Sequence, residues 1–326
     1  MTPVGIPDRT VPLLLKKLVV LAVVVLSAVV SASAPQAGEG PDFLLPDLRQ
    51  AVPGCPGGSA GPLAACTAWD VCPVIDPATP NGPCVDASVA KAVRLRFTSA
   101  EENVGAGPLL LFGRRDSTKQ DTMTVRQALR TGTDGSIPDG YAAAQRATHA
   151  FTYYEPAPAH QHWHLMNFEH FALVSPQGKT VVTDRKNGFC LGDRFTVADA
   201  GRLTHVPGDT GPDADLAATL RDNMCRHHEP GALDVLEGIS VGSGDDYKYT
   251  VDFQWLDITR VPAGTYDLVN TVNADRTLLE TDYRNNSSAV ALSISWPRGP
   301  VKPGQAIAAA PVVRFLRSCP GQPRCA

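Results

Sequence analysis

The sequence predicts an all-β fold: a β-sandwich with long irregular loops and a disulfide-held N-terminal extension. Three observations carry that expectation. Apolar and polar residues alternate with a period of two in several short segments, as strands with one covered face require. The 28 glycines and 28 prolines of this 326-residue chain punctuate those segments with turns. Runs with the helical period are few. The charge balance, 29 Lys and Arg against 33 Asp and Glu, argues against nucleic acid or an anionic membrane as the main partner, because both demand a basic surface.

Taken in order, residues 1–32 read as a signal peptide. Arg9, Lys16 and Lys17 precede an apolar run, and Val30-Ser31-Ala32 fits the small-residue cleavage rule. The alternative is an uncleaved membrane anchor, for which the run is short. Export brings the chain into an oxidising compartment, so its 8 cysteines predict disulfides. Connectivity is not readable from the spacing. The pairing expected is Cys190 with Cys225 and Cys319 with Cys325, while Cys55, Cys66, Cys72 and Cys84 staple the Pro/Gly-rich extension at 33–90.

The main domain is expected over 91–300. Residues 93–97 alternate as a strand, and 109–112 continue the apolar pattern. For 122–130, strand and helix both remain open; 131–146 read as a Gly-rich loop. His160, His162, His164, Met166, Phe168 and His170 share one parity, Phe171 and Leu173 the other, which suggests one strand covered on both faces. Ser175-Pro176-Gln177-Gly178 is a turn that returns the chain as a hairpin over 179–183. Tyr247, Tyr249, Val251, Phe253 and Trp255 alternate with polar residues. So do Tyr266, Leu268 and Val272 after the turn at 261–264, and Val290, Leu292, Ile294 and Trp296. A meander of such strands predicts the sandwich. The tail over 301–326, with Pro303, Pro311 and Pro320, is expected to be irregular.

The histidines at 160, 162 and 164 are the most informative feature. On a strand, alternate side chains share a face. Neighbouring steps of about 6.6 Å suit two rings on one ion, but all three on a straight strand span roughly 13 Å. The segment must therefore bend or bulge for all three to bind the same metal. Three neutral imidazoles suit zinc or copper. A His-rich loop without an ion is the alternative.

These residues sit among motifs that resemble the lysyl oxidase family. His160-Gln161-His162-Trp163-His164, followed by Met166, Phe168 and His170, is similar to the family's copper-binding stretch, His-Gln-His-Tyr-His followed by a Met, a Phe and a fourth His. Lys186-Asn187-Gly188-Phe189-Cys190-Leu191-Gly192-Asp193 is similar to its Lys-x-x-Phe-Cys-Leu-x-Asp. Gly238-Ile239-Ser240, with Gln254-Trp255-Leu256-Asp257-Ile258-Thr259 further on, is similar to its Gly-Leu-Ser through Gln-Trp-Ile-Asp-Ile-Thr block. The three motifs occur in the family's order within residues 93–296.

The resemblance implies a copper amine oxidase. Copper would lie on His160, His162 and His164, and a lysyl tyrosylquinone cofactor (LTQ) would be made from Lys186 and Tyr247. The implied reaction uses dioxygen to convert a primary amine, or a lysine side chain of a protein, to an aldehyde with release of ammonia and hydrogen peroxide. Tyr249 shares the parity of Tyr247 and is its rival. The general base is unassigned; Asp252, of opposite parity to Tyr247, is one candidate. Trp163 replaces the family's tyrosine and, on an alternating strand, points away from the metal. His170 is expected to pack on its strand, His227 and His228 to lie on the surface.

A second cluster, Glu280-Thr281-Asp282-Tyr283-Arg284-Asn285-Asn286, offers two carboxylates and two amides, the oxygen-rich set that hard cations favour. It is similar to the family's Glu-x-Asp-Tyr-x-Asn-Asn, which binds calcium together with an Asp-Leu pair matched here by Asp47-Leu48. The alternative is a polar hairpin turn. The whole chain is thus expected to be a secreted copper amine oxidase with no nucleic-acid partner and no membrane partner after signal cleavage. The competing reading is a secreted, non-catalytic metal-binding or structural β-sandwich protein.

Overall fold

Antiparallel pairing organises the described residues into four main sheets and a two-stranded ribbon. The computed structural model describes residues 42–58, 63–132, 136–157, 160–184, 186 and 188–325. The expected signal peptide lies outside them. The six-stranded sheet runs in the order Gly188–Phe189, His162–Met166, Arg146–Glu155, Thr122–Ala128, Leu109–Arg114 and Asp234–Ile239. A five-stranded sheet follows the order Thr180–Thr183, Glu169–Val174, Gly264–Val272, Ser287–Ser295 and Val312–Cys319. The four-stranded sheet is Phe195–Thr196, Ser243–Tyr247, Ser99–Asn103 and Leu48–Gln50; the three-stranded one is Trp255–Asp257, Ala92–Phe97 and Trp69–Val74. The fold is all-β, with Pro212–Arg221 the one α-helix among the described residues. No helix among them is long and apolar enough to cross a membrane.

One core joins the sheets. Leu48, Leu95, Leu109, Leu111, Leu173, Leu268, Val290 and Leu292 belong to a single buried cluster. Through it runs a chain of edge-to-face rings, one from each main sheet: Phe97 meets Phe171 at 5.1 Å, Phe171 meets Phe189 at 6.5 Å, and Phe189 meets Tyr247 at 5.0 Å. Contacts of this geometry add about 0.5–1.5 kcal/mol each beyond their buried area. Four disulfides brace the body: Cys55–Cys66, Cys72–Cys84, Cys190–Cys225 and Cys319–Cys325.

One open choice is decided, and several sequence expectations need correction. The segment 122–130 resolves as the strand Thr122–Ala128, with Met123 and Val125 turned inward. The parity run from His160 to Leu173 is not one strand. Asn167 adopts a left-handed backbone (φ 60°), and the strands before and after it enter different sheets. The run from Tyr247 to Trp255 breaks similarly: Phe253 is left-handed (φ 59°), and turn bonds from Val251 N–H to Lys248 O and from Gln254 N–H to Val251 O replace a ladder.

Within the 33–90 extension, the described residues are disulfide-held but not irregular throughout. Leu48–Gln50 and Trp69–Val74 pair into the body, and residues 41–326 form one compact unit. Nor is the 301–326 tail irregular throughout: Val312–Cys319 is an edge strand on Ser287–Ser295. Its prolines, 311 and 320, flank the strand rather than interrupt it, as a residue without an amide donor must. The strand at Ala92–Phe97 is buried on both faces because the Arg94 guanidinium lies 3.9 Å from the centre of the Trp255 ring and Arg96 pairs with Asp70. The helix escaped notice because it buries only Ala217 and Leu220, although Pro at its first turn, Asp213, Asp215 and a final Arg221 are the expected end signals.

Candidate active site

Sheet order brings the distant motifs together. His162 and His164 lie on His162–Met166, whose neighbour on one side is Gly188–Phe189, with Leu165 opposite Phe189 and Met166 opposite Gly188. Lys186 stands two residues before that pairing. His160 precedes the strand, and Gln161 takes a left-handed backbone (φ 51°). That residue supplies the bend a three-histidine site requires. His160 Nδ1 comes 3.2 Å from His164 Nε2, and His162 Nε2 comes 2.7 Å from the same atom. One nitrogen from each ring falls within 4.8 Å of the others.

Close approach explains the glycine beside them. A Cβ at Gly188 would lie 2.6 Å from His164 Nδ1 and 2.8 Å from its Cβ. Gly188→Ala should therefore displace the His164 ring. We expect a stability loss of about 1–3 kcal/mol, typical of overpacking, together with weakened metal binding. Thermal melts and metal competition on the same preparation check both.

Lys186 is 4% exposed, and its Nζ stands 4.9 Å from the centroids of both the Phe189 and the Tyr247 rings. Burial pushes its ammonium down to about 8, against the pull of Glu169, Asp252, Asp245 and Glu101. The Tyr247 hydroxyl donates to Cys190 O at 3.1 Å and to Asp245 Oδ2 at 3.0 Å. Cys190 is bonded to Cys225, whose carbonyl accepts from the Trp163 N–H at 2.9 Å. One disulfide thus ties the Lys186 segment, the Tyr247 hydroxyl and the histidine strand to each other.

His160, His162, His164, Lys186, Tyr247 and Asp252 all line one cavity of about 350 Å³. Tyr249 does not line it; it faces the Arg96 guanidinium at 5.6 Å. Burial lowers all three histidines, His162 to about 3, so they are neutral imidazoles. Trp163 is turned to the other side of its strand, where its indole donates to Glu229 O at 3.1 Å. His170 stands apart, near Asp184, which holds its imidazole above the ordinary value. His227 and His228 are exposed.

The sequence reading missed the buried carboxylates behind the phenol. Glu101, Glu169, Glu237 and Asp245 are each at most 1% exposed. Burial raises all of them, Asp245 to about 7, and Glu101 is raised further by Glu169. Asp245 accepts from the amides of Gly192 (3.0 Å) and Asp246 (2.9 Å), which fixes it toward Tyr247. A signal existed: Asp245 and Tyr247 share parity on one strand.

The second cluster is also partly assembled. Asn285 donates to Asp47 at 2.7 Å, and Glu280 accepts from the Leu48 amide at 2.8 Å and from Asn273 and Asn286 at 2.6 Å each. Burial lifts the Glu280 carboxyl to about 7. The side-chain oxygens of Asn285 and Asn286 are buried without a donor among the described residues. Asp282 is turned to Arg284, whose hydrogen bonds hold it down to about 2.

Comparison with known proteins points to one family. A family model for lysyl oxidase matches residues 216–297, a span that holds Tyr247 and the 280–286 cluster. The histidine triplet and Lys186 precede it. The chain is similar to lysyl oxidase homolog 2A of Danio rerio, 32% identical over 139 residues that make up 42% of this chain and 15% of that protein. It is also similar to lysyl oxidase homolog 2 of Gallus gallus and of Homo sapiens, each 30% identical over 139 residues, 42% of this chain and 14% of theirs. The match spans about one seventh of the length of these relatives.

Proposed function

We propose that this chain, which belongs to the lysyl oxidase family, is a secreted copper amine oxidase whose quinone is built from Lys186 and Tyr247. The observation that carries this reading is the shared cavity: three converging imidazoles, a buried amine and a phenol, drawn from three separate sequence motifs. The donor set fits copper, since three neutral nitrogens within 4.8 Å leave positions open for oxygen ligands. When bound, copper and the quinone supply the redox chemistry by which a primary amine, water and dioxygen become an aldehyde, ammonia and hydrogen peroxide. Asp47, Glu280, Asn285 and Asn286 fit a hard cation such as calcium, since the orphaned Asn285 and Asn286 oxygens lack any other donor among the described residues. Leu48 gives its amide to Glu280 and would join the set through its carbonyl oxygen, and Asp282 would have to leave Arg284 to join it.

The chain's own residues prepare this chemistry. His160, His162 and His164 hold the ion. Asp245 and the Cys190 carbonyl orient the phenol, and the Phe189 ring fixes the plane against which it packs. Lys186 must be neutral to join the tyrosine ring. A free lysine titrates at about 10.4, so burial already does most of that work. The sign is fixed by the direction of the shift: the amine is uncharged above about 8 and protonated below. Quinone formation after adding copper and air should therefore slow close to tenfold for each pH unit below that value. Quinone absorbance against pH checks it, and a rate independent of pH would remove Lys186 from the limiting step.

Amine-dependent peroxide release, measured across monoamines, diamines and lysyl peptides, tests the activity and selects the substrate class. A copper-loaded protein that releases no peroxide with any of them would support the non-catalytic alternative.

A further inference from the structure

Asp252 has a use that the sequence did not suggest. It lies in the turn region after Tyr247 and is 8% exposed, and its Oδ2 is 3.2 Å from His160 Nε2. The opposite nitrogen of the same ring, Nδ1, is the one directed at His164 Nε2. The two ring nitrogens of His160 are therefore assigned by their neighbours. An imidazole that donates Nε2–H to a carboxylate carries its lone pair on Nδ1. His162 differs: it points Nε2 at the cluster, and its buried Nδ1 has no partner among the described residues.

We infer that Asp252 is a positioning residue for the metal centre, holding His160 in the tautomer and orientation that present Nδ1, so that the ion is bound by one Nδ1 and two Nε2 nitrogens. This rests on the proposed copper site. The geometry explains why the first histidine can join the other two although it lies outside their strand. With Gln161 left-handed, the ring arrives from a different direction and meets the ion with its nearer nitrogen. A ring so placed, with no strand neighbours to hold it, needs an outer anchor. A carboxylate on the remote N–H supplies orientation and makes the ligating nitrogen more basic. With Oδ2 engaged by His160, Asp252 would have only Oδ1 for a role as general base.

The test is a double-mutant cycle on the full chain read by copper competition and by pulsed electron paramagnetic resonance of the Cu(II) protein. Asp252→Ala should weaken copper by about 10–100-fold, the usual cost of losing an outer-shell partner. It should also change the quadrupole signal of the remote nitrogen of one imidazole, which a merely structural lesion would not do selectively. Asp252→Asn keeps an acceptor and should recover part of the loss. In a His160→Ala background, Asp252→Ala should cost less than about twofold, because its only route to the metal is gone. Equal losses in both backgrounds, or wild-type affinity with an unchanged remote-nitrogen signal, would overturn the inference. Wild-type protein that binds no copper would overturn the proposed function along with it.

Discussion

Tyr247→Phe is expected to keep its copper and lose amine-dependent peroxide release entirely. The substitution deletes one oxygen and leaves the ring that packs at 5.0 Å against Phe189. Asp245 loses the phenol donor but keeps the amides of Gly192 and Asp246 and the Arg194 guanidinium at 3.7 Å. The fold should therefore lose only about 1 kcal/mol, the net value of a hydrogen bond. None of the three imidazoles is touched, so elemental analysis should find the same copper content. Redox staining for a quinone should be negative. Retained activity would move the quinone to Tyr249, which stands outside the cavity, or eliminate it altogether.

The second large effect is on the metal. His162→Ala should lower copper affinity by more than the roughly 100-fold that marks the upper end of outer-shell losses, because it removes a ligand itself. Water can enter the space the ring leaves, but it is a weaker ligand for copper than the imidazole nitrogen it replaces. The apo protein should melt at or slightly above the wild-type temperature, since His162 Nδ1 is buried without a partner among the described residues. This separates loss of a ligand from loss of the fold. Unchanged copper content would end the assignment of His162.

Much of this was legible in the sequence, and the rest was hidden for identifiable reasons. The hairpin across Ser175 to Gly178 followed from turn chemistry, and the Gly264–Val272 and Ser287–Ser295 strands from clean alternation. Period two says nothing of where a strand ends. The left-handed residues Asn167 and Phe253 split two apparent strands and sent the pieces to different sheets, and neither is a glycine that would have marked the break. The need for a bend near the histidines followed from strand geometry, but its location at Gln161 did not. Asp252 changed from candidate base to neighbour of His160 because that break turned it out of the strand. The carboxylates Glu101 and Glu169 belong to no motif, and only strand pairing buries them where they act on Lys186 and Tyr247.

The most direct test is peptide mapping by mass spectrometry of wild-type protein incubated with copper in air. The peptide holding Lys186 should be recovered covalently joined to the one holding Tyr247, and chelator-treated protein should yield the two separately. Copper-loaded, folded protein in which both residues are recovered unmodified and apart would contradict the proposed chemistry.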